Sequence, residues 1–168
     1  ITGAYPDLRN FLKLTGQETK SVSSATIVGG GRITYYLLNM LKQTKINTKV
    51  IEVNEERCEA LSYAFPHTMV IHADGTDHDV LEEQRITDYD AFVSMTGIDE
   101  ENLILSAYAK QQGVQKIITK MSRPALLKVF KGFDNQSVVT PKRIVANEII
   151  QFVRSRSNTQ GSNVEALY

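Results

Sequence analysis

Three consecutive glycines, Gly29-Gly30-Gly31, and then Arg32 follow the short apolar run Ala25-Thr26-Ile27-Val28. The chemistry such a stretch can do is anion recognition. Gly29 can take the positive φ that a tight strand-to-helix turn needs. Gly31 has no Cβ, so a diphosphate can approach its backbone closely. The first N–H groups of a helix starting at Arg32 and Ile33 then point at that anion, with the positive end of the helix dipole behind them. Arg32 can add a charged contact to the same phosphates. The spacing is that of the dinucleotide fingerprint G-x-G-x-x-G, with Thr34 in place of the third glycine. The branched side chain of Thr34 falls where the helix packs nearest the first strand, so the sequence predicts a helix standing slightly further off.

Further candidates recur at strand ends. Glu52 closes the run Lys49-Val50-Ile51-Glu52, about one strand and one helix after the glycines. A carboxylate there can accept from both ribose hydroxyls and would repel a 2′-phosphate, which favours NAD-like or adenosine ligands over NADP. Asp74, next to Gly75, can accept from an adenine amino group or cap a backbone turn, and both readings stand. Thr96 and Gly97 lie where a ribose or diphosphate would pass. Asp99 is read as a helix cap. Lys120 is a phosphate cation or a solvated lysine.

Catalytic and metal-binding groups are not expected. His67, His72 and His78 match no metal-site spacing, and Cys58 is the single cysteine. There is no Walker lysine, no G-x-S-x-G and no Tyr-x-x-x-Lys pair.

The elements that must position these residues alternate. Strands are expected over 25–28, 48–53, 68–72, 91–94, 116–119 and 137–139. Helices are expected over 32–44, 55–65, from the cap Asp77 to Gln84, 99–112, 124–131 and 141–154. Helix 32–44 carries Ile33, Tyr36, Leu37, Met40 and Leu41 at helical spacing. Short apolar strands alternating with helices predict an α/β chain with a Rossmann-like, doubly wound parallel sheet. Its six strands are expected in the order 3-2-1-4-5-6, with ligand at the carboxyl ends where the order reverses. The last helix bears Ile144, Val145, Ile149, Ile150, Phe152 and Val153, a stripe too wide for a helix with one buried side, and is expected to cross to a second subunit. Helix 99–112 offers Leu103, Ile104, Ala107 and Tyr108 as a second candidate surface.

With 168 residues, 42% hydrophobic and 23% charged, the chain has the size and composition of one domain with a core. Net charge is zero, and nothing in the sequence suggests a nucleic-acid surface or a polybasic membrane patch. One cysteine excludes a disulfide framework and fits a reducing cytoplasm. No apolar run approaches a membrane span, so action at a membrane would go through a partner. Residues 1–22 read as a linker or the end of a preceding unit, 23–154 as the nucleotide-binding domain, and 155–168 as a linker into a further unit.

Taken together, Ile27-Val28-Gly29-Gly30-Gly31-Arg32-Ile33, Val50-Ile51-Glu52, Asp74-Gly75-Thr76-Asp77, Asp90-Ala91-Phe92-Val93-Ser94-Met95-Thr96 and Asp99-Glu100-Glu101-Asn102 resemble the RCK/KTN (TrkA-N) domain. The likeness is to the second nucleotide-binding unit of TrkA-type regulatory subunits of bacterial potassium uptake, and it covers about residues 25–154. It implies a sensor and not an enzyme: a cytoplasmic domain on the inner face of the membrane that binds NAD(H), or alternatively ATP or ADP. The implied partner is a TrkH-like potassium channel subunit, reached from a homodimer or ring. Gly29, Gly30, Gly31, Arg32 and Ile33 would face the diphosphate, Glu52 the ribose, Asp74 and Gly75 the adenine side, and Thr96, Gly97 and Lys120 the remaining phosphates or ribose. Thr34 and the pair Val53-Asn54 depart from the family pattern. Two other readings stay open: a small NAD-dependent oxidoreductase with its site at a dimer interface, and a ligand-free structural copy of the domain.

Overall fold

A computed structural model describes residues 21–123, 125–126 and 137–161, with the backbone alone for 156–161. In chain order the elements are β1 (Ser24–Val28), α1 (Arg32–Leu41), β2 (Asn47–Glu52), α2 (Glu55–Ala64), β3 (Met69–His72), α3 (His78–Glu83), β4 (Ala91–Ser94), α4 (Asp99–Gln111), β5 (Lys116–Lys120), β6 (Ser137–Val139) and α5 (Pro141–Gly161). The six strands form one sheet in the order β3-β2-β1-β4-β5-β6, and every pairing is parallel. This is the Rossmann-like doubly wound order read from the sequence.

Successive residues of a strand point to opposite faces, and both faces here are covered. On one, Val28, Ile51, Phe92 and Ile117 pack with Leu81 of α3 and with Leu105 and Ala109 of α4. On the other, Ile27, Val50 and Val93 pack with Leu38 of α1 and with Leu61 and Phe65 at α2. β1 and β4 lie side by side at the centre, in register from Ala25↔Ala91 to Val28↔Ser94. Both run out at the same level, so the glycine turn after β1 and the Met95–Gly97 loop after β4 face each other at the carboxyl end of the sheet.

Several local expectations are corrected. In α1 the buried residues are Thr34 and Leu38, while Ile33, Tyr36 and Met40 lie 43%, 61% and 76% exposed. The hydroxyl of Thr34 finds a backbone partner, and that lets a polar residue take the sheet-facing position. Leu103 of α4 belongs to the core, leaving Ile104 and Ala107 exposed on that helix and Tyr108 half-buried. A short 3-10 turn, Ile86–Asp88, anchors buried Ile86 before β4; three residues are too few to leave a periodic signal. The helix expected over 124–131 falls almost wholly outside the described residues.

α5 runs through Gly161, past Arg154 and into the stretch read as a linker. Serine, asparagine and threonine are only weak helix formers, and no proline interrupts them before Gly161. Its apolar residues Ile144, Val145, Ile149, Ile150, Phe152 and Val153 are each roughly half exposed.

Candidate functional site

The glycine turn continues the sheet before it bends. Gly29 N–H donates to the Ile51 carbonyl at 2.9 Å. Its φ is +102°, and a Cβ there would lie 2.8 Å from the Met95 carbonyl carbon and oxygen, so both conformation and space demand glycine. Gly30 is held by packing: a Cβ would meet Leu61 at 2.7 Å and the Glu52 side chain at 3.0 Å. Gly31 differs from both. Its φ of −72° suits any residue, and a Cβ built on it meets nothing within 4 Å. That open space is where a ligand would approach. Gly31 is also the N-cap of α1 with no side-chain cap, so the first-turn N–H groups of Arg32 and Ile33 lack intrahelical acceptors at the mouth of that space.

Two adjoining pockets open there. One of about 220 Å³ is lined by Gly29, Gly31, Arg32, Ile33, Glu52, Arg57, Met95, Thr96, Gly97 and Lys120. Three cationic side chains surround it, and Glu52 is its one acidic lining residue. The other, about 350 Å³, runs from Gly29 and Glu52 past Val53 and Arg57 to Asp74, Gly75 and Thr76, with Thr96, Gly97, Ile98 and Glu101 on the far side. One pocket is cationic at a helix N-terminus and the next is longer and part apolar. That arrangement suits a phosphate group joined to a nucleoside. A larger cavity of about 600 Å³ lies at the opposite end of the sheet, between the end of α1 and the start of β2.

Every residue expected from the sequence lines these pockets except Gly30, which lies beneath the turn. Several of them also hold the fold. Glu52 is 5% exposed, and its carboxylate already clasps the protein. Oε2 accepts from Gly30 N–H at 2.5 Å and Oε1 from Asn54 N–H at 2.8 Å, with Arg57 Nη1 3.8 Å away. A carboxylate has about four acceptor positions, so capacity toward the pockets remains.

Asp74 caps its own turn. Oδ1 accepts from both the amide and the hydroxyl of Thr76, at 2.9 and 2.7 Å, and those bonds hold its carboxyl below the usual aspartate range. Gly75 is required by packing, since a Cβ would lie 2.4 Å from Val28 Cγ1. Lys120 is half-buried, and its Nζ donates to the Thr96 carbonyl at 2.6 Å.

Asp99 is not the N-cap of α4. That position belongs to Ile98, and Asp99 is the first helical residue, 3% exposed. It reaches across to the segment after β5 and accepts from the Ser122 and Arg123 amides at 2.8–3.0 Å. Burial pushes its carboxyl up. The two amides and then the Arg123 and Lys120 charges outweigh that, and its pKa stands below the ordinary value. Arg123 also makes a two-pronged contact with Glu100 at 2.8 and 2.9 Å.

Two residues escaped the sequence reading. Arg57 touches both pockets. It is the third residue of α2, and helical side chains lean toward the N-terminus, which returns it to the end of β2; that signal was available. Asn102, fully buried, was legible only as part of the first turn of α4. Buried Cys58 donates to the Glu52 carbonyl at 3.3 Å, and burial, with Glu52 and Glu55 nearby, raises its thiol. Among the described residues no group of His, Cys, Asp or Glu is placed to hold a metal ion.

The chain resembles known proteins in sequence and in fold. The chain is 30% identical over 165 residues to Trk system potassium uptake protein TrkA homolog 2 of Methanosarcina mazei, covering 98% of this chain and 35% of that protein. It is 30% identical over 151 residues to the TrkA protein of Halomonas elongata, covering 90% and 33%. The chain thus spans about a third of the length of the curated relatives it matches.

Among solved structures, the TrkA-N domain of the Escherichia coli inner membrane protein ybaL superposes with a TM-score of 0.68 at 18% identity, over 80% of this chain and 98% of that one. The GsuK RCK domain gives 0.68 at 18%, over 96% and 34%. At such identities these two show the fold. Residues 25–141, from the first residue of the central strand's buried run to the start of α5, match the TrkA-N domain, and the chain belongs to that family.

Proposed function

We propose that this is a nucleotide-sensing regulatory domain of a potassium uptake system. It binds NAD(H), or alternatively ATP or ADP, at the carboxyl ends of β1, β2 and β4, and its liganded state controls a membrane channel partner of the TrkH kind. The observation that carries the reading is Gly31. Among the described residues no atom comes within 4 Å of a Cβ built at that position, and it stands uncapped at the start of α1, facing a pocket ringed by Arg32, Arg57 and Lys120. The names of the relatives, potassium uptake proteins, support the physiological setting of this reading. The pocket at the start of α1 is lined by glycines and three cationic side chains, which supports a binding role.

Among the described residues no helix is long and apolar enough to cross a membrane, so contact with a channel would go through protein surface. A sensor of this kind works only through the difference in ligand affinity between two arrangements of an assembly. α5 supplies a surface for one. Its half-exposed apolar face fits a second copy of this chain, because a twofold pairing covers both faces with one patch.

Calorimetric titration of the domain with NADH, NAD, ATP and ADP tests the reading. Saturable binding of at least one, competed by the others and weakened by Arg32→Ala, is the expected result. Absence of binding for all four would overturn it.

A further inference from the structure

α4 begins beside the ligand loop, and its first turn sends one buried side chain into that loop. Asn102 is fully buried and makes three hydrogen bonds. Its Oδ1 accepts from Thr96 N–H at 2.8 Å, and its Nδ2 donates to the carbonyls of Thr96 at 3.2 Å and of Lys120 at 3.1 Å. The same Thr96 carbonyl receives Lys120 Nζ at 2.6 Å. One amide side chain therefore fixes both ends of the lysine's reach: the backbone from which it starts and the carbonyl on which its ammonium rests. Thr96, Gly97 and Lys120 together form the wall of the cationic pocket opposite the glycine turn.

We propose that Asn102 is a positioning residue for the anionic part of the nucleotide, holding the Lys120 ammonium in place for it through the Thr96 carbonyl on which that ammonium rests. The inference rests on the nucleotide reading above and deepens it. The ammonium is a compact charge on a flexible four-carbon stem, and left alone it would sample many rotamers. Seated on the Thr96 carbonyl it has used one of its three donors, and the others remain for a phosphate oxygen. Only an amide fits the seat, since it must accept from one N–H while donating to two carbonyls. Aspartate of the same shape would set a carboxylate oxygen against both carbonyls.

The remaining contacts of α4 separate this role from plain support. One turn on, the Ser106 hydroxyl bonds Ser94 at 2.8 Å and Thr119 at 2.6 Å, buried between the same two strands. Both of these partners are strand residues, in β4 and β5, and Ser106 serves as the structural control.

The experiment is titration with NADH and with ADP, alongside thermal unfolding, of the wild-type domain and of Asn102→Ala, Lys120→Ala, the double variant and Ser106→Ala. Each of the first two single substitutions is expected to weaken binding by about tenfold, the loss of one charge-assisted contact. The double variant is expected to bind no more weakly than Lys120→Ala alone, because the asparagine acts through the lysine. Ser106→Ala is expected to lower the thermal midpoint and leave affinity unchanged. Asn102→Ser, smaller and still polar, carries the same test where alanine costs the fold.

Wild-type affinity in the Asn102 variants, or losses that multiply in the double variant, would overturn the inference while leaving the nucleotide reading intact. A wild-type domain that binds neither probe would overturn both.

Discussion

Gly29 and Gly31 sit two residues apart and answer to different demands. Gly29 is fixed by its backbone and by the Met95 carbonyl against it. Gly29→Ala should therefore destabilise the domain by at least about 1 kcal/mol in urea denaturation, whatever ligand is present. A Cβ at Gly31 meets nothing within 4 Å among the described residues, and Gly31→Ala should leave stability within about 0.5 kcal/mol of wild type. Thr34 makes a third case. Its hydroxyl donates to the Gly29 carbonyl at 2.5 Å and its side chain is fully buried. Restoring the fingerprint glycine removes that bond and a buried methyl, so Thr34→Gly should cost about 2 kcal/mol, and Thr34→Ser, which keeps the bond, clearly less. The positions of the turn, of Glu52 and of Lys120 were legible because each stands at a strand end. What their side chains hold was not, because the Gly30 and Thr96 backbone groups come to Glu52 and Lys120 only when four strands are assembled.

At the scale of elements, α4 matters more than its apolar pattern suggested. Its first turn works as a clamp: Asp99 grips the chain after β5, and Asn102 grips the loop after β4. A Ser or Asp before an apolar run reads as a cap, and Asp99 was read so. It lies one position too late and faces another strand's exit, which no local pattern encodes. The clamp has a pH signature. Because the folded pKa of Asp99 is lowered, its stabilisation is complete above the unfolded aspartate value of about 3.9 and is lost as pH falls through the lower folded value. Asp99→Asn should destabilise by about 2 kcal/mol at pH 7, and the gap to wild type should close as pH drops below about 4. Thermal midpoints of both proteins from pH 7 to pH 2 check this, and a gap that stays constant would contradict it.

For the whole molecule, strand order followed from alternation and from the fingerprint on the first strand, since right-handed crossovers leave few other arrangements. The end of α5 did not follow, because a polar run without proline reads equally as helix or linker. Its exposed apolar face predicts association. Ile149→Asp should turn a dimer into a monomer in sedimentation velocity, with the sheet and its thermal transition unchanged, and a dimer that persists would move the interface elsewhere.

The central claim is that the space in front of Gly31 holds a nucleotide. The most direct measurement is titration of wild type and Gly31→Ala with NADH and ADP, with thermal midpoints recorded for both. Wild type should bind, and Gly31→Ala should bind at least about tenfold more weakly at an unchanged midpoint, because a methyl there fills ligand space and meets no atom of the described residues within 4 Å. Equal affinity in the two proteins would contradict that claim.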